Sequence, residues 1–324
     1  MVQLAASRSM LKRNFRHWSV AFALGVLLLI VAIKAPGFFR KDQLLTTLSS
    51  ALPVLLVGCG VSLVIISRQI DVSVGSQFAL CSILLGLLVQ AHWPLALAAG
   101  AVILAGGVFG AFNGAIVAGL GLPSIVVTLA TMVTWREALR WWRQGEFVHD
   151  LPGNFQWFGL TQTQGQVVIL GIAIIVFATL ALATRHLSGF RFIYAVGSDA
   201  EAARLAGIRT QAVTFFVFVL TGVLTGLASL LNAVRFVDID PKTGTGLELQ
   251  AIAAAVVGGI AISGGRGTLW GVLVGVLLLA CIAPALVFLH LPAQWEKAFQ
   301  GAIILLAVAA DGWRSVSQKE GRLS

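Results

Sequence analysis

The sequence predicts an all-α polytopic membrane protein. Of its 324 residues, 58% are hydrophobic and only 11% are charged, and the mean hydropathy is +0.93. A soluble domain carries about 25% charged residues, so this chain cannot clothe a water-facing surface. The apolar residues are gathered in runs close to the ~20 residues a helix needs to cross the hydrocarbon core. Lys and Arg fall mainly at the ends of those runs.

Taken in order, the runs place about ten transmembrane helices, at 18–34, 49–67, 72–91, 94–119, 123–143, 166–184, 211–234, 246–264, 268–289 and 297–313. Arg8, Lys12, Arg13 and Arg16 precede the first run, and no small-x-small cleavage site follows it. Residues 1–17 therefore read as a cytoplasmic tail and the run as a first span, not a signal peptide. The transmembrane domain extends over 18–313, and 314–324 form a second tail. Short junctions near Arg68, Gly121 and Gly265 require tight antiparallel hairpins.

With the N-terminus inside, an even number of spans returns Arg314, Lys319 and Arg322 to the cytoplasm and places Arg185, Arg191, Arg204 and Arg209 there too, as the positive-inside rule expects. Arg136, Arg140 and Arg143 fall toward the outer side. They share a helix end with Trp135, Trp141 and Trp142, the composition of an interfacial anchor. The loop 144–165, with Pro152, Gly153, Asn154, Phe155, Trp157 and Phe158, suits the membrane surface or an external protein equally.

Small residues recur within the spans, among them Gly100, Gly106, Gly107, Gly110 and Gly114, and again Gly258, Gly259, Gly264 and Gly265. Their expected role is close helix packing, the main association device in a bilayer. Cys59, Cys81 and Cys281 lie singly in apolar runs and read as packing residues, not a disulfide frame or metal site.

The net charge of +9 is scattered and not interleaved with aromatics, which argues against nucleic acid as a partner. Asp71 and Glu248 stand at the starts of spans. An intramembrane acid is a functional candidate, but near an interface it also serves as an N-terminal acid complementing the helix dipole. No chain of Asp, Glu and His suggests a proton relay. A phosphate loop with lysine is missing, as are a His-Glu-x-x-His site and a Gly-x-Ser-x-Gly elbow. The expectation is a non-enzymatic chain with no catalytic residue, no metal and no cofactor of its own.

One polar stretch, Gly197 to Thr210, interrupts the apolar pattern and reads as a complete short helix. Ser198 and Glu201 have capping-box spacing, the alanine-rich centre favours helix, and Gly207 falls where a left-handed C-terminal cap is usual. A helix this short is marginal alone, so a partner surface is expected. The tight turn Gly264–Gly267 is a second candidate for that contact.

Three further segments carry a resemblance. Ser67-Arg-Gln-Ile-Asp-Val-Ser-Val-Gly-Ser76 resembles the "IDLSVG" signature of the permease subunits of monosaccharide-type ABC importers, the ribose/xylose/rhamnose/autoinducer-2 family. Leu122-Pro-Ser-Ile-Val-Val-Thr-Leu-Ala-Thr131 is similar to its "PAFIATLGT" span, with Ala130 in place of glycine. The segment Gly244–Gly265 is similar to its Glu-Leu-x-Ala-Ile-Ala-Ala signature, with Ala261 where serine is common. In the polar stretch, Ala202, Ala203, Gly207 and Ile208 match a cytoplasmic element of the family, while Ser198-Asp199 replaces its Gly-Asn start. The likeness runs from about residue 45 to 312 in constant order, and the wording is close to the autoinducer-2 branch.

What the resemblance implies is a type II ABC importer-like permease bundle in a bacterial inner membrane, with both termini cytoplasmic. It would pair with a second permease subunit (as homo- or heterodimer), cytoplasmic ABC ATPases that hydrolyse ATP, and a periplasmic substrate-binding protein. Ser198, Asp199, Glu201, Ala203, Arg204, Gly207 and Ile208 would form the ATPase-coupling helix, about 198–208. The expected function is import of a small neutral sugar or sugar-like molecule by alternating access. Asp71, Ser73, Asn113, Thr128, Thr131 and Gln250 are candidates for the substrate pathway, with helix–helix hydrogen bonding as the other role for each. The alternatives are an autoinducer-2-type signal importer permease, an ion-coupled secondary carrier working without an ATPase, and a non-transporting scaffold.

Overall fold

The computed structural model describes residues 20–292, 294–299, 301–302 and 305. Among these the chain is helical, and its extended pairing is one antiparallel bridge between Val148 and Ile239. The helices are α1 (Val20–Lys34), α2 (Lys41–Ile66), α3 (Val74–Gln90), α4 (Leu95–Leu120), α5 (Ser124–Arg143), α6 (Gln162–His186), α7 (Ser188–Ser198), α8 (Ala200–Leu205), α9 (Thr210–Ala233), α10 (Leu247–Val257) and α11 (Leu269–Phe288). Short 3-10 turns at Pro36–Phe39 and Gln156–Gly159 complete the order.

Of these, α2, α4, α6, α9 and α11 are long and apolar enough to cross a membrane, while α1, α3 and α10 are apolar but shorter. Helix α5 has 20 residues, but Arg136, Glu137, Arg140 and Arg143 make its second half polar. The ten spans expected from hydropathy thus become five long apolar helices and a set of shorter ones. The expected span 297–313 lies mostly outside the described residues, and so do both tails.

The differences have local causes. The span expected at 246–264 stops at Val257, because Gly259, Gly264, Gly265 and Gly267 all take positive φ and fold the chain into a compact turn. Helix α2 starts well before its apolar run, with Asp42 in its first turn where an acid complements the dipole. The amphipathic α7 was not expected. It buries Ile193, Val196 and Gly197 and so carries the chain from α6 to α8 along the protein instead of through a free loop.

The core forms around α2. Its apolar window is 89% buried, against 28% for α4 and 33% for α6, so α2 is the central helix and the other two are peripheral. Helix α9 packs on both α2 and α4. A β-carbon at Gly106 of α4 would overlap the Gly222 carbonyl of α9, and one at Gly222 would overlap that of Gly106. The small residues therefore set the α4–α9 distance, the close-packing role the sequence predicted without naming the partner helix. Gly100 differs, with open space where a β-carbon would stand. Cys59 and Cys81 are buried free thiols, and Cys281 is a half-buried one.

The aromatic and basic residues at the end of α5 have different surroundings. Trp141 and Trp142 are exposed, whereas Arg136 turns to the start of α10 and donates to Thr245 Oγ1 at 2.9 Å. The 144–165 loop folds back onto the protein. Phe155 is buried, and Trp157 N–H donates to the Val234 carbonyl at 2.6 Å.

Candidate functional site

Three sites follow from this frame: a buried polar network, a cleft at one end of the bundle, and the α7–α8 corner at the other. The network is built where α2 ends and the chain runs non-helically from Ser67 to α3. Asp71 lies there with no exposed surface, so its expected interfacial placement is corrected. Asp71 Oδ1 accepts from Ser73 N–H at 2.9 Å and from Ser73 Oγ at 2.6 Å. Ser73 Oγ in turn accepts from Gln77 Nε2 at 2.7 Å and from Asn113 Nδ2 of α4 at 2.8 Å.

One hydroxyl thus gathers three side chains from two helices and a loop. A serine oxygen has one proton and two lone pairs, and all three are used. Asp71 Oδ2, Gln77 Oε1 and Asn113 Oδ1 remain buried without a partner among the described residues, so the network presents acceptor oxygens beyond those it satisfies internally.

Thr128 of α5 has a different task. Its Oγ1 donates to the Ile70 carbonyl at 3.2 Å and accepts from Val72 N–H at 3.3 Å, while Ser124 Oγ accepts from Ile70 N–H at 3.0 Å. These bonds substitute for the helical ones that the 67–73 stretch lacks. Thr131 bonds the Thr128 carbonyl of its own helix at 3.2 Å and stays out of the network. Gln250 is exposed on α10 and does not join it among the described residues. Of the six pathway candidates, the structure brings together Asp71, Ser73 and Asn113, with Thr128 bracing their loop. Gln77 was missed, although its place one helical turn after Ser73 puts both on one face.

Helices α3 and α10 both begin inside the bundle after non-helical stretches, and their first turns meet. A β-carbon at Gly75 would overlap Glu248 Oε2, which is itself buried without a hydrogen-bond partner among the described residues. Interrupted helices of this kind are where membrane carriers place polar sites.

Beside the middle of α3 and the C-terminal end of α9 lies a cleft of about 250 Å³, lined by Ser82, Phe147, Asn232, Phe236, Asp238 and Asp240 among others. Asp238 Oδ1 stands 3.0 Å from His149 Nδ1. Ser82 Oγ is buried with no partner among the described residues. Carboxylates, an amide, a hydroxyl and two aromatic faces together suit a small polyhydroxylated molecule. These residues come from α3, the loop after α5, the end of α9 and the stretch that follows it, so no local sequence pattern marks them as a group.

At the other end, Asp199 caps α8: its carboxylate accepts from Glu201 N–H and Ala202 N–H, both at 3.0 Å. The capping-box assignment of Ser198 is corrected, since Ser198 is the last residue of α7. Gly207 does close the helix, with φ +83. Ile208 N–H reaches the Ala203 carbonyl and Gly207 N–H reaches that of Arg204, both at 3.0 Å, which is a Schellman motif. Only Ala203 is buried in α8. Glu201 pairs with Arg204 at 2.6 Å on the outside, and Leu205 is 80% exposed. The helix is held at both ends and presents its whole outer face, including an apolar residue the sequence reading passed over.

Comparison with known proteins gives a consistent picture. Residues 43–308 match the family described as branched-chain amino acid transport system, permease component. The chain is 37% identical over 308 residues to the autoinducer 2 import system permease protein LsrC of Escherichia coli O157:H7, covering 94% of this chain and 89% of that one. The LsrC protein of Shigella flexneri is equally similar, at 37% with the same coverage. That of Salmonella typhi is 36% identical over 307 residues, covering 93% of this chain and 86% of the relative. No solved structure matches the chain.

Proposed function

The chain belongs to the permease family matched over residues 43–308, and we propose that it is the membrane subunit of an ATP-driven importer for a small neutral sugar or sugar-like signal. The observation that carries this reading is the similarity to LsrC permeases over 94% of the chain. Autoinducer 2, named for those relatives, is the first candidate substrate. The internal network suits a hydroxyl-bearing ligand: its spare atoms are acceptor oxygens, two from amides and one from a carboxylate, which hydroxyl donors would satisfy.

In this reading α8 lies on the cytoplasmic side and docks in a groove of an ABC ATPase, while the cleft at the far end opens toward a periplasmic binding protein. A second permease subunit completes the pathway, and both termini are cytoplasmic. Movement of α8 on ATP binding and hydrolysis reorients the bundle, and α3 and α10, which start against each other, form the moving polar contact. Asp71, Ser73 and Asn113 then stand along or beside the pathway.

The test is uptake into proteoliposomes holding this chain with its genomically adjacent permease, ATPase and binding protein. ATP-dependent uptake of labelled autoinducer 2, ribose or rhamnose is expected, and none from the chain alone. Ion-gradient-driven uptake by the chain alone would overturn the reading in favour of a secondary carrier.

A further inference from the structure

At the α8 end of the bundle, Arg68 has a left-handed backbone with φ +63, and its side chain joins two segments remote in sequence. Arg68 Nε donates to the Ser263 carbonyl and Nη2 to the Ser198 carbonyl, both at 2.8 Å. Beside it, Gly265 N–H donates to the Ile66 carbonyl at 2.8 Å. There is no spare room at this node. A β-carbon on Gly197 would overlap the Ile66 carbonyl, one on Gly264 would overlap Arg68 Cγ, and one on Gly265 would overlap Ser198 Oγ.

The end of α2, the root of α8 and the turn after α10 are thus locked into one piece. Both acceptors are backbone carbonyls and not carboxylates, so the contact reads position, not charge. A guanidinium holds two such acceptors at fixed geometry because its donors form a rigid planar fork. The peptide after Arg68 leads through Gln69 and Ile70 to Asp71, the start of the buried network. The turn leads back through α10 to Glu248. A shift of the α8 root therefore has two short, packed routes to the polar interior, and Arg68 stands at their branch point.

We propose that Arg68 is the positioning residue that delivers movement of α8 simultaneously to the 69–73 loop and to the Gly264–Gly267 turn. The proposal rests on the reading of α8 as the ATPase-docking helix. It makes α8 and the glycine turn one composite unit, not competing contacts. Coupling carried by packed segments needs a measurement of coupling itself, so the decisive quantity is substrate imported per ATP hydrolysed.

The complete importer is reconstituted with wild-type chain, Arg68→Ala, Arg68→Gln and Arg68→Lys. Arg68→Ala is expected to keep ATPase co-purification and ATP hydrolysis within twofold of wild type, while substrate imported per ATP falls at least tenfold. Arg68→Lys, which can reach one carbonyl but not fork to two, is expected to recover part of that ratio. In Arg68→Ala, amide hydrogen exchange is expected to quicken at 263–266 and 67–70 while α4 and α9 stay protected.

A coupling ratio within twofold of wild type in Arg68→Ala overturns the proposal, and so does loss of ATPase co-purification, which would make Arg68 a docking residue. If Arg68→Ala does not fold, Arg68→Gln carries the same comparison. Failure of the wild-type chain to import with an ATPase present would instead count against the importer reading itself.

Discussion

Gly75, in the first turn of α3, lies directly beneath the carboxylate of Glu248, in the first turn of α10. A β-carbon at Gly75 would overlap Glu248 Oε2 and would stand 2.6 Å from the Gly244 carbonyl oxygen. Two helices of 17 and 11 residues thus start against one another, one from the stretch that holds Asp71 and the other from the stretch that lines the cleft. Glycine at 75 is what permits this approach, and the acid at 248 places negative charge near the α3 N-terminus, where the helix dipole favours it.

The contact makes Gly75→Ala a sharp test. The added methyl must push α10 away, and overpacking of this kind costs about 1–3 kcal/mol. A lowered thermal midpoint in detergent and loss of uptake are expected, with membrane insertion unchanged. Combining it with Glu248→Ala should restore part of the midpoint but not all of it, because the Gly244 carbonyl remains in the way. An unchanged midpoint in Gly75→Ala would show that the two helices are farther apart than described.

Ser73 is the hub of the buried network, so its removal should cost more than removal of any one partner. In Ser73→Ala the Gln77 and Asn113 amides lose the oxygen they donate to at 2.7 and 2.8 Å, and Asp71 loses a hydroxyl donor. Each orphaned buried group costs about 1–3 kcal/mol. Thermal unfolding in detergent should therefore show Ser73→Ala well below Asn113→Ala, which leaves Ser73 with two of its three bonds. Equal midpoints would mean that the hydroxyl does not organise the cluster.

The cap of α8 separates two adjacent residues. Asp199→Ala removes the acceptor for two first-turn N–H groups and should destabilise the helix by about 1 kcal/mol. Ser198→Ala should be nearly neutral for α8, because that side chain caps nothing. Hydrogen exchange at Glu201 and Ala202 reads the difference: faster in Asp199→Ala and unchanged in Ser198→Ala. The opposite pattern would restore the capping-box reading of Ser198.

These cases mark what the sequence could and could not disclose. Apolar runs located α4, α6, α9 and α11 closely, since length and hydropathy are properties of contiguous residues. The glycines of α4 foretold close helix packing for the same reason, but not that α9 is the helix they meet. Hydropathy failed at Asp71, because it cannot tell a span that starts at the interface from one that starts inside the bundle after a non-helical stretch. It also failed after Val257, where a glycine-rich apolar segment is a turn and not a helix. The cap moved by one residue because Ser198 continues α7, a helix whose short polar–apolar alternation was hidden between two long runs. Gln77 was within reach of the helical period, one turn after Ser73, whereas the Arg68 contacts pair residues 130 and 195 positions apart and Ser82 faces a cleft that no single motif encodes.

The exposed face of α8 supplies the last prediction. Gly207 holds φ +83, a conformation proline cannot adopt, and its N–H is the one that closes on the Arg204 carbonyl. Gly207→Pro therefore undoes the C-terminal end of α8 without touching a buried side chain. Glu201→Arg leaves the backbone intact but replaces the Glu201–Arg204 pair, 2.6 Å apart, with two like charges on the outer face. Leu205→Asp removes the apolar side chain that protrudes there. All three variants should insert normally, since α8 buries only Ala203, and all three should lose ATPase co-purification together with uptake. Because they act by different means on backbone, charge and apolar surface, a shared loss would point to the face they have in common. Normal co-purification of Gly207→Pro and Glu201→Arg would sink the assignment of α8 as the docking helix.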